Sequence, residues 1–581
     1  MKRDFRFSRR LAVALAGSCL GAALAFSLGA GNGLAGTVPD VSRLVKVPDP
    51  LAGDNPPYPL VPVEVPEIGA TFSDVHFGTD ITRVTGRGKI RQEYSRFDPF
   101  NADGSMILLL SIDEGWFRAY GTDSVPYEDN LVREIDLSEP RWDPADPRLL
   151  WGLRDFSILT VNVQTGEETL VKDFAAEPSI AQILAQEADL YRITMKDEGE
   201  ASMDNRYWAF FLQGSEDDYR MRYILTWDRQ EDALEGLYKI SPDEDALDWI
   251  GMSPLGGYVL IGGMEYNGGN LTGLTMADRK LTRFHRLDYT TAHSDVGLDT
   301  DGKEVVVMQS TRTDCVDLIP IDWSTQPILE SGGSYAGTHR TPLARLYYHS
   351  ESPYNFDSGI HLSCNCPGYC VVGTTSRADN QEKNWLDRSH VLVKLDPEAP
   401  EAWYLAKVYN SEEQYWEETH ATLSRDGSKV VWASNWSRNV GEEEVFVLRL
   451  DLPVRSDLPP VVVDSEEADV QASFQTGQAV DLSCKAEAGA KMWVLVEAPS
   501  LYAGAKFARP RDEYCSERGR WVFPFAQGAA DLYYAESFQG SRIAFGLNNF
   551  SGTGTVVVTT LQGDSPEDLQ TVQTIRLVEG G

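Results

Sequence analysis

The chain has 581 residues, of which 42% are hydrophobic, 24% charged and 10% aromatic; this is the composition of an ordered globular protein with room for one large repetitive β domain and a smaller neighbour. A formal net charge of −36 removes the basic face that phosphate binding requires, so nucleic acid is not expected as a partner. The same acidity repels polyanions at long range, although salt largely screens charges more than ~8 Å apart.

Residues 1–35 read as an export signal. Lys2, Arg3, Arg6, Arg9 and Arg10 form a basic head, Leu11 to Leu28 an apolar stretch, and Gly33-Leu34-Ala35 a small-x-small cleavage site. Arg9-Arg10 after Ser8 also permits twin-arginine export, and Cys19 lacks the upstream leucine of a lipoprotein signal. Removing this segment takes the net charge from −36 to −40. No later apolar stretch reaches the ~20 residues of a membrane helix, so the expectation is an exported, periplasmic or secreted protein with no membrane span. Residues 36–69 are a Pro-rich extended segment, expected to run over the surface or close a ring.

From residue 70 to 455 one pattern recurs: a short strand, a polar turn of Asp, Gly, Asn or Pro, then a run of strand-forming residues. Seven copies begin at Ser95, Glu139, Gly199, Asp248, Ala292, Gly359 and Glu418; the last reads "ETHATLSRDGSKVVWASNW". A spacing of about 40 to 65 residues fits one four-stranded blade per copy, and hence a seven-bladed β-propeller. Third strands are expected at 131–137, 222–228, 390–396 and 445–451, and one short helical candidate at Ile180 to Tyr191. A Pro- and acid-rich linker, 456–470, precedes strands expected to form a small antiparallel β-sandwich over 471–581. The fold class is therefore all-β. Beyond the signal, the six cysteines (Cys315, Cys364, Cys366, Cys370, Cys484 and Cys515) read first as disulfides in an oxidising compartment, with Cys484–Cys515 the natural pair of the C-terminal region.

Blades written as Pro or His, then a hydrophobic residue, Ser, x, Asp-Gly and a hydrophobic run resemble TolB-type propellers. In that type the strand before the Asp-Gly turn is innermost, so its first residue lies at a rim of the central channel. His293 in "AHSDVG", His361 in "GIHLSC" and His420 in "ETHATL" occupy this place in three consecutive copies, His361 and His420 each seven residues before a turn glycine. Each histidine alone could cap its strand. Three converging imidazoles suit a divalent cation, with Glu418 or Asp295 completing the shell, or allow one histidine to act as general base.

The arrangement is similar to seven-bladed polysaccharide lyases of the oligogalacturonate lyase type. That resemblance implies a divalent metal (Mn, Zn or Ca) on His361, His420, His293 and Glu418, and a histidine, here His293, that abstracts the proton beside a uronate carboxylate. Arg96, Arg141 or Arg222 would clamp the carboxylate, and Tyr219, Tyr289 or Tyr415 would protonate the leaving oxygen. An anionic polysaccharide or oligosaccharide is the expected partner. Trp116, Trp416, Trp436 and Tyr415 could stack on sugar rings or pack between blades. The alternative is a non-catalytic periplasmic propeller that binds a protein or glycan through the same rim. No Gly-x-Ser-x-Gly elbow, Walker or dinucleotide glycine motif is present.

Overall fold

The computed structural model describes residues 39–450, apart from 40, 42–43, 87, 217–218, 330–334, 349–353 and 438–442, and beyond these chiefly the strands lying between 461 and 579. Seven antiparallel sheets, each led by an innermost strand and, in the first six, followed outward by three more in chain order, form the blades of a β-propeller. Blade one is built from Ile90–Arg91, Met106–Ser111, Trp116–Gly121 and Leu131–Ile135. The innermost strands of the next six are Ser138–Trp142, Leu190–Thr194, Leu247–Met252, Ser294–Leu298, Gly359–Ser363 and Thr422–Leu423. Segment 131–137, expected as a third strand, holds the fourth strand of its blade; the other three expected third strands lie third. The helix runs over Pro178–Gln186, and Tyr191 already belongs to the following strand.

The ring closes through its N-terminal side. Asp80–Arg83 pairs antiparallel with Glu444–Arg449, so blade seven takes its fourth strand from residues that precede blade one. Thr71–Ser73 adds a fifth strand there, and Val45–Lys46 from the Pro-rich segment adds one to blade six. Closure removes the exposed sheet edge that an open array would carry.

Between blades the packing is apolar: Val371, Leu392 and Leu405 of blade six meet Ala421, Val430 and Trp432 of blade seven, all buried. At the turn of blade seven Gly427 takes φ +67°, which L-residues resist, and its N–H donates to the Ser424 carbonyl at 2.8 Å, while the Ser428 N–H donates to Asp426 at 2.9 Å. Sequence pattern and backbone need agree here.

Residues beyond 460 form a four-stranded and a six-stranded sheet. Two pairings are parallel, Val461–Asp464 with Val480–Lys485 and Asp469–Phe474 with Gln570–Glu579, where purely antiparallel strands were expected; the first of these strands lies inside the expected linker. The packing of a sandwich core rests on side chains outside the described residues. So do the export signal and the Cys484–Cys515 pairing. The disulfide expectation is corrected for the other four cysteines: Cys315, Cys364, Cys366 and Cys370 are buried free thiols. Cys364 and Cys370 reach only a hydrogen-bond relation across their hairpin, and burial holds both the Cys364 and Cys366 thiols above their ordinary pKa. No helix among the described residues is long and apolar enough to cross a membrane.

Candidate metal centre

At the start of the innermost strands of blades five, six and seven stand His293, just before Ser294, His361, inside Gly359–Ser363, and His420, two residues before Thr422, and the ring brings the three imidazoles edge to face. Ring centroids lie 4.6 Å apart for His293 and His361 and 4.3 Å for His361 and His420. The close approach depends on Gly373. It pairs with His361 across the hairpin, and a Cβ there would stand 2.8 Å from the Ala421 side chain, next to His420. His420 itself has φ +44°, a left-handed conformation that a non-glycine residue holds only against surrounding packing. Blade one supplies the restraint: Gln92 Nε2 donates to the Thr419 and His420 carbonyls at 2.9 and 2.8 Å.

Glu418 stands at the centre of the group. Its Oε2 lies 2.6 Å from His361 Nε2 and 3.2 Å from His420 Nε2, and the three ligand atoms all fall within 4.8 Å of one another. The His420 tautomer follows from its other nitrogen, Nδ1, 3.2 Å from the Glu93 carbonyl. A carbonyl only accepts, so Nδ1 carries the proton and Nε2 of the neutral ring presents a lone pair to a carboxylate oxygen. Two lone pairs at that distance repel unless a cation or a proton stands between them. Fixing one imidazole nitrogen on a backbone carbonyl is also how proteins orient a metal-ligating histidine.

Burial keeps the group neutral on its imidazole side. Desolvation, with Arg91 and Arg96 adding to it, pulls His361 down to about 3, and desolvation and Arg91 hold His420 well below the usual imidazole range. His293 is exposed to the channel, and that water weakens the desolvation acting on it. The downward direction stands because His361 and Arg96 disfavour a positive charge there. Burial raises Glu418 above its ordinary value, opposed by His293 and Arg91. Neutral imidazoles with one carboxylate receive a divalent cation without first shedding imidazole protons.

The remaining expected residues divide. Arg96 and Arg141 are buried and held by internal partners, each with its Nε left unpaired. Arg96 donates to the Glu198 carbonyl at 2.9 Å and stacks 4.3 Å from the Trp249 ring, while Arg141 pairs with Glu93 at 2.7 Å and covers Phe97. Tyr415 sits 5.3 Å from the His420 ring, centroid to centroid. Asp295 accepts the Cys364 and Val296 N–H groups with its two oxygens and is not among the clustered ligand atoms. The structure does not join Arg222, Tyr219 or Tyr289 to the histidines: Arg222 pairs with Asp189, Tyr219 contacts Tyr191, and Tyr289 bonds Thr311. Trp436 is buried against Phe446 and Tyr409, a packing role, whereas Trp416 is exposed.

Blade one holds residues that the repeat pattern does not reveal. Tyr94 lies edge-on to both metal-site imidazoles, 5.3 Å from His361 and 4.9 Å from His420, and its phenol is held protonated by burial. Arg91 is fully buried and donates to the Trp416 carbonyl. Both precede the turn-based start of the first copy at Ser95. Counting blades from the innermost strand at Ile90–Arg91 would have found them.

The sequence matches no known protein family, and no curated protein matches it. Among solved structures it is similar to a chain of the "Crystal Structure of Mitotic Checkpoint Complex", with 10% identity, 68% of this chain and 96% of that one covered, and a TM-score of 0.32. It is also similar to Hsv2 of Kluyveromyces lactis, with 9% identity, coverages of 62% and 97% and a TM-score of 0.29. Likeness at this level carries nothing about function; the blade count rests on the sheet order.

Proposed function

We propose that this chain is an exported, divalent-metal-dependent polysaccharide lyase that cleaves a uronic-acid-containing glycan by β-elimination at the channel mouth. One observation carries the reading: His361, His420 and Glu418 converge with an imidazole lone pair aimed at a carboxylate oxygen, and an accessible His293 stands beside them. A bound cation would neutralise the uronate carboxylate as charge builds on it.

His361, His420 and Glu418 would hold the ion. His293, neutral and open to the channel, takes the C5 proton; the C5–H electron pair forms the C4–C5 double bond as the C4–O bond breaks. Tyr415, whose phenol burial and Glu198 keep protonated, gives its proton to the departing oxygen. The proton on His293 then passes through solvent to restore the phenol. A purely binding propeller has no use for three neutral imidazoles around one carboxylate, so the non-catalytic alternative ranks second.

The test is metal content by mass spectrometry of the purified protein and of His361→Ala and His420→Ala, followed by the ultraviolet absorbance of unsaturated uronate products. The reading expects about one equivalent of metal in the unaltered protein and none in either variant. It also expects His293→Asn to keep the metal while losing roughly 100-fold or more in rate. Absence of metal from a protein never exposed to chelator would refute it.

A further inference from the structure

We infer that Tyr94 is the residue that recognises the substrate's acid group: its hydroxyl donates a hydrogen bond to the carboxylate drawn to the metal centre and so selects an acid sugar over its neutral counterpart. The inference rests on the metal-centre part of the proposed function and not on the elimination step.

The first observation is the placement of the ring. Tyr94 follows the innermost strand of blade one, Ile90–Arg91, and ring closure lays it against blades six and seven, with centroids 5.3 Å from His361 and 4.9 Å from His420. The Phe97 ring stands 6.4 Å away and the Arg96 guanidinium 5.8 Å from the ring centre. Only 8% of the residue is exposed. A ring packed on this many sides has little rotamer freedom left to lose when a ligand arrives, which is the use of preorganisation in recognition.

The second observation is the state of the hydroxyl. Other hydroxyls beside the histidines are engaged: Thr419 donates to the Thr374 carbonyl at 2.7 Å, Ser294 to the Thr291 carbonyl at 3.2 Å, and Thr422 is shared between the His420 and Tyr94 carbonyls at 2.9 and 3.3 Å. The Tyr94 hydroxyl makes no hydrogen bond among the described residues, and it is not sealed inside the protein as the unpaired Tyr404 hydroxyl is. A neutral phenol donates as well as accepts, so one open O–H stands beside the two imidazoles.

The third observation is charge, which brings an acid group here but does not place it. Arg91 and Arg96 act electrostatically on His361, and Arg96 acts also on Tyr94, while Glu198 and Asp248 act on the phenol with the opposite sign. With attraction and repulsion both present, a directed hydrogen bond decides where the carboxylate lies. Such a bond is stronger to an ionised acid than to a neutral group in its place.

The experiment compares the unaltered full chain with Tyr94→Phe, which keeps the ring and removes a hydroxyl that has no protein partner, so the fold stays intact. Both are loaded with Mn or Zn and titrated calorimetrically with galacturonate, glucuronate and the methyl ester of each, with metal content and thermal melts read in parallel. The inference expects the unaltered protein to bind at least one uronate more tightly than its ester. It expects Tyr94→Phe to lose about tenfold or more of that affinity and little of its affinity for the ester, with metal content and Tm unchanged. Equal uronate affinity in the two proteins, no preference for the acid over the ester, or loss of metal from Tyr94→Phe overturns it. Unsaturated product from a polyuronate reports on the lyase separately. Without product, a Tyr94-dependent preference for the acid retains this site and rejects the elimination; product formed at equal rates by both proteins retains the lyase and rejects the role of Tyr94.

Discussion

Replacing Glu418 with Gln removes the one ionic ligand of the cluster and keeps its shape. If the site binds a divalent cation, a free concentration a hundred times the dissociation constant adds about 2.7 kcal/mol to the folded state. The propeller spans ~380 residues, Thr71 to Arg449. At roughly 2.1 cal/mol/K per residue its unfolding entropy is about 0.8 kcal/mol/K, so the ion should raise Tm by about 3 °C. In the metal-free protein the carboxylate gains a short contact from His361 but faces the lone pair of His420, so its loss should move Tm by no more than about 1 °C. Differential scanning calorimetry of both proteins, stripped with chelator and then titrated with Mn, Zn or Ca, measures each quantity. The expected result is a metal-dependent rise in the unaltered protein and less than a third of it in Glu418→Gln. An equal rise in both would refute the assignment of Glu418 as a ligand.

Gly373→Ala should drive a methyl into Ala421, cost about 1–3 kcal/mol as overpacking does, and weaken metal binding by separating His361 from His420; thermal melts with and without metal read both effects. Ile81→Ala, in the buried face of the ring-closing strand, should lower Tm by roughly 3–6 °C, from about 2–5 kcal/mol for such a truncation over the same entropy. Asp98 is buried, accepts the Arg425 and Phe100 N–H groups at 2.6 and 2.9 Å, and is raised by desolvation to about 7. Its folded pKa lies above the unfolded value, so its contribution to stability is fully present below about pH 4 and is lost as the pH rises through about 7. Urea unfolding of Asp98→Asn between pH 4.5 and 8 should therefore show a shallower fall with pH than the unaltered protein; an unchanged slope would mean that Asp98 is ionised in the folded state throughout.

Local chemistry made the blades legible. The hairpin "THATLSRDGSKVVWASNW" carries its own instructions: Gly427 for a positive φ, Asp426 to fold the turn, and β-branched and aromatic residues for the strand behind it. Repetition of that unit seven times sufficed to count blades, and the seven-residue register of His361 and His420 against their turn glycines, which His293 shares only after a two-residue insertion, pointed the three to one mouth. Which arginines and tyrosines join them could not be read this way. Arg96 and Arg222 look alike along the chain, but one lies beside an innermost strand and the other on a third strand against Asp189. The distance from the channel axis is set by strand order within a blade, a property of the closed ring. The blade-one contributions of Arg91, Gln92 and Tyr94 depend on the same closure, because blade one meets blade seven only after more than three hundred residues of intervening chain. The thiols follow this logic: spacing suggested bridges, and the geometry of one β hairpin left Cys364 and Cys370 as buried neighbours. Sequence alone determined the repeat and the residue types at its fixed places, because turns and strands are short-range matters; the tertiary structure decided which of those residues meet, because the ring brings together side chains that the chain keeps far apart.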